Sequence, residues 1–336
     1  MDNMEKDSSY WRKRSCLVTG GAGFGGAHLC AELLMRGARV YAYDRYLPND
    51  SYLIFEGLLD KIDFIPGDIK DLEYLKTILS RLDIHTVFHL AAQPIKPKSN
   101  DIPYETLYVN SLGTYNVLEA VRTSKQKPSL IFASTGGYYG KCFSEDLIKE
   151  DSPALVGDNI YSASKVAGDI AVRYYAYVFG IKAATCRFMQ TYGPGDTQFS
   201  RIIPITIKYL MKGDNPRISR CDGTPIWDFM HVRDMARGYI AVAKNIDKVS
   251  GEAFNFGGGN PISVKELVKL INKVFTGNEI EPIVLMPPSG IFQKTCLDIS
   301  KAKSLLGWEP KISLEDGLKE TIDWYRKFWE KIQHFA

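Results

Sequence analysis

SCLVTGGAGFGG, residues 15–26, passes without a break from strand-like sequence into a run of glycines. Ser15–Thr19 reads as a buried strand and Gly23–Arg36 as the helix behind it. Between them, Gly20, Gly23 and Gly26 permit a tight turn, a close approach of backbone to a pyrophosphate and close helix–strand packing. The N–H groups and positive dipole end of the helix would face that pyrophosphate, with Phe24 in its first turn. A glycine-rich loop alone is a weak signal. Here an acid, Asp44, also ends the next strand, Arg39–Tyr43. A carboxylate there accepts hydrogen bonds from both ribose hydroxyls and repels a 2′-phosphate, which favours NAD over NADP. Arg45 beside it pulls the other way, since an arginine can bind that phosphate.

Outward from this loop, short apolar runs alternate with helical patterns. Strands are expected at Ile62–Pro66, His85–Leu90 and Leu130–Ser134, with helices around Leu72–Leu82 and Tyr104–Thr123. Such alternation predicts an α/β fold, a Rossmann-type doubly wound parallel sheet. Asp68, with Ile69 after the third strand, either meets the adenine edge or caps a helix. Beyond about residue 188 prolines and glycines recur, and helices are expected at Ile203–Lys212, Ile262–Val274 and Leu314–Phe328. This implies a smaller C-terminal substrate-binding lobe. The expected division is 11–188 for the dinucleotide domain, with a returning segment at about 228–258, and 189–227 plus 259–336 for the lobe.

Composition excludes several classes. The chain has 336 residues, a net charge of +3 and no basic block, which argues against nucleic acid. Six cysteines, at 16, 30, 142, 186, 221 and 296, lack metal-site spacing, so no metal or disulfide is expected. Cys16 and Cys186 lie in strand-like runs, where reduced buried thiols are expected. With no signal-type apolar segment and no 18-residue apolar run, the expected setting is the cytoplasm, off the membrane. The first ten residues, MDNMEKDSSY, are polar and unpatterned and read as disordered.

Tyr161-Ser162-Ala163-Ser164-Lys165 opens a helix running to about Phe179, and i, i+4 spacing puts phenol and ammonium on one face. A free tyrosine, with a pKa near 10, is a poor base at neutral pH. A neighbouring Lys⁺ and the positive nicotinamide ring would favour the phenolate.

Taken together, TGGAGFGG (19–26), HLAAQP (89–94), Asn110 in VNSLGTYNVLEA, Ser134-Thr135 before Tyr139-Gly140 and YSASK (161–165) resemble the extended short-chain dehydrogenase/reductase superfamily. The nucleotide-sugar epimerase/dehydratase branch is the one resembled. Arg187 with YGPG (192–195), DFMHVRD (228–234) and LGWEPKISLEDGL (306–318) extend the resemblance over almost the whole chain. It implies Tyr161 as acid/base on a sugar hydroxyl and Lys165 on the nicotinamide ribose, tuning the tyrosine. Thr135, or its neighbour Ser134, would bond the same hydroxyl. Leu90, Ala91, Ala92 and Gln93 would line the cofactor. Asn110 would be a site-proximal polar group or a helix cap.

Two departures shape the expected chemistry. In sugar 4,6-dehydratases the hydroxyl residue precedes acids that act at C5 and C6; here those places hold Gly136 and Gly137, which would leave room for a sugar to turn. Hydride-transfer machinery alone favours a redox-neutral epimerase. Yet residues 89–114 and 195–204 look most like CDP-glucose 4,6-dehydratases, and Glu145 or Asp146 is the alternative source of the missing acids. Gln190 stands where the family usually has Asn, and Trp227 where it usually has Arg. Arg201, Arg217, Arg220 and Arg233 are the candidate cations for a diphosphate.

The expected function is therefore an NAD-dependent nucleotide-sugar epimerase acting at C4, in surface-polysaccharide or deoxysugar synthesis. The alternatives are a 4,6-dehydratase, a keto-sugar reductase or a non-catalytic NAD-binding regulator. Helices Tyr104–Thr123 and Asn159–Phe179 carry apolar residues on more than one face, which predicts a paired-helix homodimer.

Overall fold

The computed structural model describes residues 9–140, 145–157, 159–290 and 293–335. Its centre is a seven-stranded, fully parallel sheet. The strands are β1 (Ser15–Thr19), β2 (Arg39–Asp44), β3 (Asp63–Pro66), β4 (Thr86–His89), β5 (Ser129–Thr135), β6 (Ala183–Phe188) and one arriving late, Ala253–Phe256. In space they run 253–256, β6, β5, β4, β1, β2, β3. The order reverses between β1 and β4, the crevice where doubly wound sheets bind ligands.

Both faces are covered, which is why β4, β5 and β6 are buried along their whole length. On one face, helix α1 (Phe24–Met35) and Val232–Lys244 pack Leu29, Leu33, Met235 and Ile240 against the sheet. On the other lie α2 (Leu72–Arg81), α3 (Gly113–Thr123) and α4 (Ile160–Phe179), contributing Leu75, Val117, Val121 and Val172. Asn159 caps α4, accepting from Ser162 N at 2.8 Å, and Gly180 in the left-handed region (φ +65°) ends it. The cap fixes Tyr161 in the first helical turn.

A second sheet centres on Ile226–His231, flanked by Pro261–Ser263, Lys294–Thr295 and Gln190–Tyr192. Helices Ile202–Met211, Val264–Thr276 and Leu314–Ile332 enclose a core of Ile203, Ile207, Leu267, Ile271, Leu318 and Tyr325.

Three local expectations are corrected. Residues 262–263 are strand rather than helix, because Ser263 caps the helix at Glu266 N and leaves its predecessors free to pair. The helix expected over 104–123 is three pieces: Pro103–Leu107, a π-helical turn Tyr108–Leu112, and α3. Finally, of the ten residues read as disordered, 1–8 lie outside the described residues, while Ser9 and Tyr10 begin a short helix whose Trp11 is fully buried near Phe88. Cys142 lies outside the described residues, while Cys16 and Cys186 are buried and free.

Candidate active site

A cleft of about 1430 Å³ opens at the carboxyl ends of β1, β4 and β5. Its floor is the glycine loop. Gly20 has φ +72°, and a Cβ there would lie 2.7 Å from Ala91 N; a Cβ on Gly26 would collide with Gly20 O. No larger residue fits either place, so backbone alone faces the cleft. Phe24, Asp44, Arg45, Asp68, Ile69 and Leu90 to Gln93 all line it. Asp44 accepts from Ala22 N at 3.2 Å and from Arg45 N at 2.9 Å, while burial pushes its carboxyl pKa up. Asp68 is not a helix cap: Asp71 takes that role at Tyr74 N, and Asp68 accepts from Lys70 N.

Beneath the loop, buried His89 holds β1 to the following helices. Thr114 donates to Asn110 O at 2.6 Å, so it must accept from His89 Nε2 at 3.0 Å. Nδ1 is then the acceptor for the Thr19 hydroxyl, 2.7 Å away. Asn110 lies behind the cleft wall and caps no helix. Its Oδ1 accepts from Gln93 N at 2.7 Å, and its Nδ2 donates to Gln93 O and to Ser164 Oγ at 2.9 Å. The π-helical turn is what aims it inward.

Tyr161 and Lys165 enter from α4, one turn apart. Tyr161 faces the Thr135 side chain, which acts on its pKa as a hydrogen-bonding group, and Thr135 Oγ1 accepts from Gly137 N at 3.1 Å. Thr135, not Ser134, makes this contact; Ser134 Oγ is buried without a hydrogen-bond partner. Burial raises the Tyr161 pKa, and the opposing influences are first the Arg201 charge and then the Thr135 bond. Arg201 is thus a cation acting on Tyr161 in addition to the expected Lys165. Lys165 Nζ lies 4.4 Å from the Phe132 ring centroid, and burial pushes its pKa down to about 7 against the charge of Asp169.

Asp169, one turn further along α4, forms a fully buried two-pronged ion pair with Arg187 at 2.9 Å for both bonds. Arg187 also donates to Tyr139 Oη at 2.8 Å and Glu150 O at 3.0 Å. This network fixes α4 against β6.

Of the expected substrate residues, Gln190, Arg201, Arg220 and Trp227 line the cleft, as does Arg217. Arg233 does not; it pairs with Glu320. Arg201 is held by both oxygens of buried Asp196 at 3.0 Å, with its guanidinium 5.8 Å from the Phe24 ring. Glu145 and Asp146 are exposed and off the cleft, so neither replaces the missing acids. The space above the two glycines is partly filled. A Cβ at 136 would collide with Met189 Sδ, and one at 137 would lie 2.6 Å from Ser162 Oγ. Sequence reasoning missed Met189, Ser162 and Asp169, whose partners come from other segments and leave no local pattern, and Asp196, which pairs with Arg201 five residues on.

Residues 17–321 match the profile of a family described as GDP-mannose 4,6 dehydratase. A UDP-glucuronate 4-epimerase of Thermodesulfobacterium geofontis (strain OPF15) is 33% identical over 329 residues, spanning 94% of this chain and 98% of that one. The solved UDP-glucose 4-epimerase of Thermotoga maritima, with UDP-glucose, is 32% identical with a TM-score of 0.84, covering 94% of this chain and 99% of that one. A UDP-glucuronic acid 4-epimerase variant from Bacillus cereus, in complex with UDP-4-deoxy-4-fluoro-glucuronic acid and NAD, is 27% identical with a TM-score of 0.81, covering 94% and 99%.

Proposed function

The chain belongs to the GDP-mannose 4,6-dehydratase family of NAD-dependent nucleotide-sugar enzymes, and from that membership we propose that it is a nucleotide-sugar 4-epimerase. The observation that carries the reading is the Tyr161–Thr135 pair, set in the cleft beside two glycines where a dehydratase needs acids.

The loop fits NAD, since the Gly20 and Gly26 positions have no space for side chains and Asp44 lines the same cleft, where its carboxylate would meet the ribose hydroxyls. NAD, when bound, takes up a hydride and returns it. Gly20, Gly23 and Gly26 would present backbone to the pyrophosphate, and Lys165, lining the same cleft, would bind the nicotinamide ribose. Thr135 and Tyr161 hold the C4 hydroxyl, and the Tyr161 phenolate takes its proton as the C4 hydride leaves. After the 4-keto ring turns, Tyr161 returns that proton to the oxygen as hydride arrives on the opposite face. Arg201, with Arg217 and Arg220 further along the cleft, is suited to the diphosphate. The segment 189–227 with 259–336 forms the substrate lobe in this reading, around the 11–188 dinucleotide domain and its returning segment. A 4,6-dehydratase has no acid here to move a proton at C5 or C6, and an idle NAD-binding regulator has no use for the Tyr161–Thr135 pair.

The working unit is a homodimer of two copies joined through α4 and residues 104–115. Val117, Leu118, Val121 and Val172 from the expected apolar faces go into the core, while Leu112, Ile170, Tyr174 and Val178 stay exposed beside Tyr104 and Tyr177. Apolar and aromatic side chains on two adjacent helices suit a second copy of the same face. The setting is cytoplasmic, in step with buried, free Cys16, Cys30, Cys186 and Cys296; among the described residues no helix is long and apolar enough to cross a membrane.

Incubation with UDP-, CDP-, GDP- and dTDP-hexoses and NAD, followed by NMR, tests the reading. The expected product has unchanged mass and one inverted carbon. Loss of water with a 4-keto-6-deoxy signal would replace the epimerase by a dehydratase.

A further inference from the structure

On the epimerase reading, the ring must turn between its two hydride transfers. The carbons beside C4 are C3, bearing a hydroxyl, and C5, bearing the C6 group. Presenting the opposite face to the same nicotinamide requires a half-turn about the C1–C4 axis, and that half-turn exchanges C3 with C5. Whichever way the sugar first binds, its C6 group therefore lies against each flank of the reacting carbon once per turnover. Both flanks must tolerate it.

One flank is built by Gly136 and Gly137, next to Thr135. Met189 Sδ occupies the place a side chain at 136 would take, and the Phe188 carbonyl oxygen lies 3.3 Å from that point. At 137 the nearest atoms are Ser162 Oγ at 2.6 Å and Thr135 Oγ1 at 3.4 Å. Thr135 Oγ1 already accepts from Gly137 N. Met189 itself packs beside Tyr138, Tyr139 and Ile148, which holds the thioether in place. The flank thus offers a soft apolar sulfur, an acceptor oxygen and a hydroxyl, with no cation among the nearest atoms. A carboxylate desolvated there would meet a lone pair from the carbonyl instead of charge-assisted donors. A hydroxymethyl or methyl group packs against a thioether without such a cost.

We propose that Met189, seated over Gly136, is a specificity determinant that confines the substrate to nucleotide hexoses with an uncharged C6 group and disfavours hexuronates. The inference rests on the epimerase reading through the turning ring.

The test compares glucose with glucuronate, each carried on UDP and in parallel on CDP. Turnover is measured with NAD-loaded wild-type protein, and affinity with NAD-loaded Tyr161→Phe. The neutral sugar is expected to lead by about 100-fold in kcat/KM, and by about tenfold or more in Kd. Met189→Thr, which supplies a donor, should narrow both ratios about tenfold, while Met189→Leu should keep them. Equal use of the two sugars, a preference for glucuronate, or ratios unmoved by Met189→Thr would overturn the assignment. If neither sugar is turned over while the Kd ratio still depends on residue 189, the epimerase reading fails and the specificity role stands on affinity alone.

Discussion

Tyr161 works against its own burial. Desolvation raises its pKa, and the cation opposing that rise is Arg201, fixed by Asp196 at 3.0 Å. The YxxxK spacing makes Lys165 legible as a partner, but only the fold reveals Arg201, forty residues on and in another segment. Two outcomes follow at this scale. Tyr161→Phe should lower kcat by roughly 10²–10⁴ while NAD titration shows unchanged cofactor affinity. Arg201→Gln removes the charge that favours the phenolate, so the acid limb of the kcat/KM pH profile should move to higher pH. Arg201→Lys should hold that limb near its original place. An unmoved limb in Arg201→Gln would remove Arg201 from the tuning of Tyr161.

Helix α4 carries the reacting pair, and beside its apolar packing one buried ion pair holds it to β6. Asp169 and Arg187 are both fully buried and mutually saturated, so removing one charge strands the other. Asp169→Asn should cost about 3–5 kcal/mol in denaturant unfolding. Arg187→Met with Asp169→Leu, which removes both charges together, should recover much of that loss. The parallel sheet and the strand–loop–helix at 15–35 were legible because local patterns dictate them: apolar runs of strand length, glycines at fixed offsets, and an acid at the next strand end. The π-helical turn at 108–112 was not, because its cause is tertiary. Buried Asn110 must satisfy Gln93 and Ser164 at once, and an extra residue in the turn lets it do so. The short strand at 261–263 was hidden in a helical pattern, although Ser263 followed by Glu266 carries the capping signal that separates the two.

At the scale of the whole molecule, the joint between loop helix and second sheet is neutral and acid-sensitive. His28 stacks on Tyr52 with ring centroids 3.8 Å apart and donates to Pro194 O at 2.8 Å. Burial holds its pKa down at about 4, and that of His231 at about 3. Between these values and 6.5 the unfolded chain binds more protons than the folded one, so stability falls as pH drops through that window. For His28 the loss is on the order of 3 kcal/mol by pH 4. Urea midpoints taken from pH 7 to pH 4 should fall, and His28→Gln should flatten the fall while starting from a lower midpoint. Light scattering should give about twice the 37.8 kDa chain mass, and a single-chain mass would remove the α4 pairing. What joins these scales is one claim, that hydride leaves C4 and returns to C4. The most direct test is a nucleotide hexose deuterated at C4, incubated with the enzyme and NAD and read by NMR. The account predicts an inverted C4 that keeps its deuterium, with no net NADH. Deuterium appearing at C6 with loss of water would contradict it.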